Sequence, residues 1–357
     1  MVAVGVAGHP MKTGSEDPLV SIIVPNYNHA PYLQERLDSI LKQTFQDYEL
    51  IILDDASTDH SLQIIKSCLA GYTYQLIVNE TNSGSTFKQW DRGLSLSRGR
   101  YIWMAESDDV AEPKLLEKLV NSIQAADSAM AYCQSMGIDE SSVVISEIKG
   151  WTDGYSRHLW SQDFSMDGNF FCIQYMAIKC VIPNASAVLF RRDCYVSPVN
   201  VPPCLCLAGD WMLWIRIMLQ RRISFVAEPL NRFRFLSGSV RNRRNTVYFK
   251  ECVRCTTFIL DQTNAWQSPA ELLPLKRHLL ALWLAIGLEP ACPWNWVQRR
   301  DAYGVLWRLH GFALAPLLLA AWPASVVRCT IPLRMYCYLG LRSIVRRLAP
   351  MKKASGT

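Results

Sequence analysis

The chain has 357 residues, half of them apolar or aromatic, with a mean hydropathy of +0.05 and a formal net charge of +6. That length allows one large domain or two smaller ones with ample core, and the composition excludes disorder over most of the chain. The charge excess is local: residues 302–357 hold eight Lys or Arg and no Asp or Glu, flanking apolar runs in a way that suits an anionic membrane surface better than nucleic acid.

Residues 1–18 mix Gly, His, Lys, Glu and Pro with small residues and read as a loose extension without the apolar run of an export signal. VSIIVP (20–25) is a continuous apolar run, hence a strand covered on both faces. Pro31 then opens a helix whose Leu33, Leu37, Ile40 and Leu41 repeat at helical spacing. ELIILDD (49–55) is the second strand, and Asp59 caps the helix carrying Leu62, Ile65 and Leu69. YQLIVN (74–79) is the third strand, Phe87, Trp90 and Leu94 mark a helix face, and 101–105 is the fourth strand. Repeated β-α units of this length predict a parallel sheet with right-handed crossovers.

Past residue 112 the pattern loosens into a helix (112–126), strands at 129–134 and 142–148, and an aromatic, irregular stretch at 151–183. ASAVLF (185–190) reads as a further strand, 210–220 as a helix apolar on nearly every side, and ISFVAEP (223–229) and NRFRFL (231–236) as closing strands. From about 245 the chain is helical, broken by seven prolines from Pro269 to Pro332. Residues 309–327 lack ionised side chains, which approaches the roughly 20 residues of a span. His310, Pro316 and Pro323 favour an interfacial or re-entrant segment there, with a span or a packed helix as alternatives. The twelve cysteines are scattered; Cys252 and Cys255 lack a second ligand pair, so reduced thiols are expected and zinc is not.

Acidic residues gather where strands end: Asp54 and Asp55 after the second, and Glu106, Asp108 and Asp109 after the fourth; a further acid, Asp210, opens the apolar helix. Open α/β sheets bind ligands beyond the carboxyl ends of their strands. One or two carboxylates with diphosphate oxygens are the usual holders of Mg²⁺ or Mn²⁺, which would neutralise a departing nucleoside diphosphate. Each acid also has an ordinary explanation as a cap or turn residue. No GxxxxGK[ST] loop occurs, and no GxGxxG follows the first strand, which argues against an ordinary ATPase and against NAD chemistry.

The stretch VSIIVPNYNHAPYLQERLDSILKQTFQDYELIILDDASTDHS (20–61) closely resembles the opening of family 2 glycosyltransferases. NSGSTFKQW (82–90), ESDD (106–109), NASAVLFRR (184–192) and GDWMLW (209–214) continue the resemblance in the family's order, over about residues 19–241. The resemblance implies the α/β GT-A fold, a mixed sheet flanked by helices, a nucleotide-diphospho-sugar donor, and transfer with inversion. It divides the chain into a catalytic domain at 19–241, with a nucleotide-sugar half at 19–110 and an acceptor half at 111–241, and a helical, basic region at 242–357.

By position, the resemblance puts Pro25 and Tyr27 beside the base and ribose, Asp55 on the base, and a basic contact at Lys88. Asp108 falls nearer the ribose and Asp109 on the cation, both within the degenerate D-x-D motif. Glu106 stands where many members have Asp. Asp210 matches the general base, which takes the proton of an acceptor hydroxyl attacking the anomeric carbon. Asn184, Trp211 and the aromatic stretch are the expected acceptor wall, since aromatic faces suit sugar C–H surfaces, with a buried core as the alternative use of the same residues. Relatives often carry a Tyr-Arg-x-His-x-x-Ser stretch after the last strand; RFRFLSGSV (232–240) keeps Arg234 and Ser239 but has Leu236 at the His position. Arg234 or Arg241 then either replaces that imidazole in part or is a plain surface charge.

The expected enzyme is an inverting, metal-dependent sugar transferase at the cytoplasmic face of the cell (inner) membrane. It would take a saccharide or lipid-linked acceptor in surface polysaccharide biosynthesis. The alternatives are a sugar-phosphate nucleotidyltransferase, for which PNYNHAPYL offers no Gly- and Arg-rich phosphate loop, and an inactive sugar-nucleotide-binding scaffold subunit.

Overall fold

A computed structural model describes residues 2–5, 17–148, 152, 156, 158–197, 208–236 and 246–265. The chain divides into two compact units, Met1–Met176 with Cys180–Arg244, and Ala177–Lys179 with Asn245–Thr357. In the second, the described helix is Thr246–Gln262, with Cys255, Ile259 and Leu260 buried. The first unit is built on one eleven-stranded sheet.

Its strands are β1 (Val2–Gly5), β2 (Val20–Asn26), β3 (Tyr48–Asp54), β4 (Gln75–Val78), β5 (Tyr101–Met104), β6 (Val110–Ala111), β7 (Met130–Ile138), β8 (Val144–Glu147), β9 (Phe164–Asp167), β10 (Val188–Arg191) and β11 (Arg222–Arg234). Its helices are α1 (Ala30–Leu41), α2 (Ser61–Cys68), α3 (Thr86–Leu96), α4 (Leu115–Ala126), α5 (Gly168–Phe171) and α6 (Gly209–Met218). The order is β1-β4-β3-β2-β5-β10-β7-β11-β6, with β8 on β7 and β9 on β11. β4, β3, β2 and β5 run parallel, and every residue of β2, β3 and β5 is buried, as strands covered on both faces require. Leu33, Leu37 and Ile40 of α1 are fully buried, with Pro31 in the first turn where its missing N–H costs nothing.

Several elements differ from the sequence reading: β6 was not expected, and the stretch 151–183 read as irregular contributes β9, antiparallel to β11, and α5. Val2–Gly5, within the stretch expected to be loose, pairs antiparallel with β4. The segment from Ala185 begins as a short 3₁₀ turn, because Asn184 Oδ1 accepts the N–H of Ala187 at 3.0 Å and holds the chain in a tight turn before β10 starts. The two closing strands are one: β11 runs through with register shifts on either side of Pro229, which cannot donate to the ladder.

β10 runs against β5 and β7, whereas β11 runs parallel to β7. The carboxyl ends of β2, β3, β4, β5, β7 and β11 therefore share one edge with the amino end of β10. The chain from Ala105 to Asp109 follows that edge from β5 until β6 pairs with Asn231 and Arg232 of β11. Among the described residues no helix is long and apolar enough to cross a membrane. Residues 302–357, including the 309–327 run, lie outside them, as does Arg241.

Candidate active site

The edge beyond β2 and β3 is fixed by small polar side chains. Asp54 accepts from Asn26 Nδ2 at 2.8 Å and from the Ser57 N–H at 2.9 Å. Asn28, in the left-handed region at φ 54, accepts the Thr58 N–H at 2.8 Å. Asp59 accepts the N–H of Ala30 at 2.9 Å and of Ser61 at 3.0 Å, so one carboxylate serves the first turns of both α1 and α2. Tyr27 is 44 % exposed at this edge, and Pro25 is buried.

Asp55 is buried, and its Oδ1 accepts from Asn79 Nδ2 (2.7 Å), Gln89 Nε2 (2.8 Å) and the Ser83 N–H (2.9 Å). Its Oδ2 accepts a hydrogen bond from Ser83 Oγ at 2.7 Å. The acid thus ties the 79–89 segment to the end of β3. Lys88 is exposed and donates to the Ser83 carbonyl at 3.3 Å.

Beyond β5 the acids separate by environment. Glu106 is largely buried, and its Oε1 accepts the Trp90 indole N–H at 2.9 Å. Burial first, and the neighbouring Asp108 charge second, push its carboxyl up to about 8. Asp109 is 1 % exposed; its Oδ1 accepts the Arg234 N–H at 2.9 Å. Burial and Asp108 raise its pKa too. Asp108 stands partly exposed between them. His29 meets this loop from α1's start, its Nδ1 2.8 Å from Ser107 Oγ, and burial holds its pKa below the usual value.

Two buried guanidinium groups support the loop through its main chain. Arg36 of α1, fully buried, donates Nε–H to the Glu106 carbonyl at 2.8 Å and NH2 to Ser186 Oγ at 3.1 Å, and lies 5.5 Å from the Trp103 ring centroid. Arg234 donates Nε–H to the Asp108 carbonyl at 2.7 Å. Arg234 is therefore no surface charge: it is 2 % exposed, while Phe235 is 41 % exposed. Arg36 was legible in principle, as a charge within the buried Leu33–Leu37–Ile40 stripe. Arg234 was not, since strand alternation in NRFRFL assigns the interior to the phenylalanines.

The residues fit a hard divalent cation. Asp109 Oδ2 is buried without a hydrogen-bond partner, and burial first, with the Asp108 charge second, disfavours the ionised carboxyls of Glu106 and Asp109, a cost that a bound cation would offset. Among the described residues no three His, Cys, Asp or Glu gather at metal-binding distance; a cation shared with a ligand's phosphates needs only one or two carboxylates.

Asp210 lies in the first turn of α6, partly exposed, and its Oδ1 accepts the Trp211 N–H at 2.7 Å. Gly209 lets α6 approach α3, for a Cβ there would collide with the Phe87 ring. Trp214 then lies 6.2 Å from Trp90. The expected acceptor wall has other duties. Trp211 is 1 % exposed and donates to the Met176 carbonyl at 3.0 Å. Asn184 is buried between Ala187, Ser135 and Asn231. In the aromatic stretch, Trp160 and Phe171 are core residues beside Tyr132 of β7, while Phe170 is exposed.

Comparison with known proteins gives a consistent picture. Residues 21–195 match the family model described as glycosyl transferase family 2. A glycosyltransferase of Rickettsia prowazekii is 32% identical over 234 residues, 65% of this chain and 69% of that protein. The glycosyltransferase GlyG of Streptococcus pneumoniae is 30% identical over 181 residues, 50% of this chain and 54% of GlyG. The chain thus spans about half the length of GlyG, and 37% of a second glycosyltransferase, from Rickettsia bellii. Among solved structures, residues 1–349 of S. aureus TarS in complex with UDP-GlcNAc superpose with a TM-score of 0.60 at 19% identity, covering 92% of this chain and 91% of that one. The sheet with its flanking helices is that of the GT-A glycosyltransferases.

Proposed function

The chain belongs to glycosyltransferase family 2, and we propose that it transfers a sugar, with inversion, from a nucleotide-diphospho-sugar to a saccharide or lipid-linked saccharide in surface polysaccharide biosynthesis. The observation that carries this reading is the charge-rich loop 106–109 on the carboxyl edge of the sheet, the edge that also carries Asp55, joined through Trp90 to the helix bearing Asp210.

In this reading Tyr27 and Pro25 border the base, and Asp55 Oδ2, with a single hydrogen bond from Ser83, accepts an N–H of the base. Lys88 reaches the phosphates. Asp108 is the principal holder of Mg²⁺ or Mn²⁺. Asp109, whose Oδ1 holds the Arg234 N–H, would add only its remaining buried Oδ2, so in this reading the division expected from the sequence is reversed. A bound cation supplies charge neutralisation for the leaving nucleoside diphosphate. The acceptor hydroxyl attacks the anomeric carbon opposite that diphosphate and passes its proton to Asp210, whose partial exposure keeps the carboxylate accessible. Asn184 and Trp211 receive no acceptor role, since their polar atoms have internal partners. Attachment to the cytoplasmic face of the inner membrane rests on the basic, apolar composition of 302–357.

The test is release of nucleoside diphosphate from uridine-, thymidine- and guanosine-diphospho-sugars by purified protein with Mn²⁺ or Mg²⁺. Turnover of one donor class, with loss in Asp210→Asn but retained nucleotide binding, is expected. Turnover of none, with no nucleoside diphosphate raising the Tm, would overturn the reading.

A further inference from the structure

The Arg234 guanidinium joins three elements on the far side of the acidic loop. Nε–H donates to the Asp108 carbonyl at 2.7 Å, and the residue's own backbone N–H holds Asp109 Oδ1 at 2.9 Å. NH1 donates to the Asp139 carbonyl at 2.8 Å and to Ser142 Oγ at 3.0 Å, both in the turn joining β7 and β8. NH2 donates to Glu35 Oε2 of α1 at 2.8 Å, and the Tyr32 ring of α1 covers the guanidinium at 4.8 Å. Ser142 closes the circuit by donating Oγ–H to the same Glu35 oxygen at 2.6 Å. It does so at φ 65, a conformation uncommon for a residue with a Cβ. The four side-chain contacts depend on the planar fork of a guanidinium, since an ammonium at the same site could not reach all four acceptors, whereas the backbone N–H to Asp109 is independent of the side chain.

We propose that Arg234 is a positioning residue for the donor: its guanidinium fixes the main chain at Asp108 relative to α1 and the β7–β8 turn, beside the Asp109 carboxylate that its own N–H holds, so that donor affinity depends on its geometry rather than its charge. This rests on the donor-site reading of the loop. Glu35 and Ser142 belong to the same device, since each orients the guanidinium and neither lies in the loop. Two simpler roles make different predictions. A plain counter-charge would be replaced by lysine without loss, and a plain structural strut would lower stability without a selective effect on the donor.

The experiment measures donor KM, kcat, Mn²⁺-dependent nucleoside diphosphate affinity and Tm for full-length Arg234→Lys, Glu35→Gln, Ser142→Ala and the double variant Arg234→Lys/Glu35→Gln. We expect Arg234→Lys to raise donor KM and weaken nucleotide affinity about tenfold or more. Glu35→Gln and Ser142→Ala should each weaken nucleotide binding about threefold with Tm within a few degrees of the parent. The double variant should be no worse than Arg234→Lys alone, because the Glu35 effect passes through the guanidinium. Parent-like binding by Arg234→Lys, unchanged binding in Glu35→Gln and Ser142→Ala, or additive effects in the double variant would each overturn the proposal. Should Arg234→Lys fail to fold, the two milder variants still decide it. Absence of nucleoside diphosphate binding by the parent protein would instead remove the donor-site reading, and this proposal with it.

Discussion

The indole N–H of Trp90 donates to Glu106 Oε1 at 2.9 Å, and the same ring lies 6.2 Å from Trp214 of α6. One side chain of α3 thus connects the loop carrying Asp108 to the helix carrying Asp210. Trp90→Phe keeps most of the ring but leaves the buried Glu106 oxygen without its donor, which should destabilise the protein by about 1–3 kcal/mol in urea denaturation. Glu106→Gln retains the acceptor and removes a carboxyl that burial already disfavours in its charged form. It should stay within about 1 kcal/mol of the parent, a neutral replacement that keeps the hydrogen bond being far milder than a lost partner. A larger loss in Glu106→Gln than in Trp90→Phe would count against this account.

Arg36 sits fully buried under the loop, donating to the Glu106 carbonyl and Ser186 Oγ. Arg36→Met fills similar volume but removes one donor each from the Glu106 carbonyl and Ser186 Oγ, which keep the Asp109 and Glu106 N–H groups, and leaves the acids of the loop without their buried cation. Breaking a buried charge arrangement from one side costs about 3–5 kcal/mol, so the urea midpoint should fall steeply with the m-value unchanged. A midpoint shift equivalent to under about 1 kcal/mol would mean that the Arg36 contacts are dispensable.

The parallel half of the sheet was legible because its strands are fully buried and separated by amphipathic helices, so apolar runs and helical spacing reported it directly. The closing strand was legible in composition but not in continuity: Pro229 reads as a break, whereas the ladder tolerates it as a register shift. The acids were visible as a cluster but their depth was not, for Asp109 being buried while Asp108 is partly exposed has no signature in four consecutive letters. Arg234 and Phe235 invert the usual rule, because the guanidinium finds enough acceptors inside to offset desolvation. Trp211 and Asn184 look like surface recognition residues in sequence, but internal carbonyl and amide partners draw them inward.

Asp59 provides a pH test away from the acidic loop. Burial alone would raise its pKa, but the hydrogen bonds from Ser61 and from the Ala30 N–H outweigh it and hold the carboxyl below its ordinary value. A group whose folded pKa lies below its unfolded value stabilises the fold above the unfolded value, and that contribution disappears as pH falls through the folded one. Asp59→Ala should therefore cost about 1 kcal/mol at neutral pH, in the range of a lost helix cap. The gap between parent and variant should narrow below about pH 4. A gap constant down to pH 2 would show that the charged form is not what the two helix starts require.

The cation assignment predicts a separation between the adjacent aspartates. Asp108→Asn should abolish the enhancement of nucleoside diphosphate binding by Mn²⁺ while leaving the weaker metal-free binding unchanged. Asp109→Asn removes a buried carboxyl and should act mainly on Tm, with the Mn²⁺ enhancement retained in part. Calorimetric titrations with and without EDTA distinguish these outcomes; the reverse pattern would return the cation to Asp109.

Asp210→Asn separates chemistry from architecture, because the amide oxygen of asparagine can still accept the Trp211 N–H that now bonds Asp210 Oδ1 at 2.7 Å. The first turn of α6 and its packing on Phe87 through Gly209 should survive, so Tm and nucleoside diphosphate affinity should match the parent. Asparagine cannot take a proton from the acceptor hydroxyl, and a positioned general base contributes about 10²–10⁴-fold. The expected result is a fall in transfer kcat of that size with donor KM nearly unchanged. Such a pattern assigns the lost energy to an interaction formed only in the transition state. A parallel loss of nucleotide affinity would mean that Asp210 shapes the donor pocket instead. Unchanged kcat would move the base to another group.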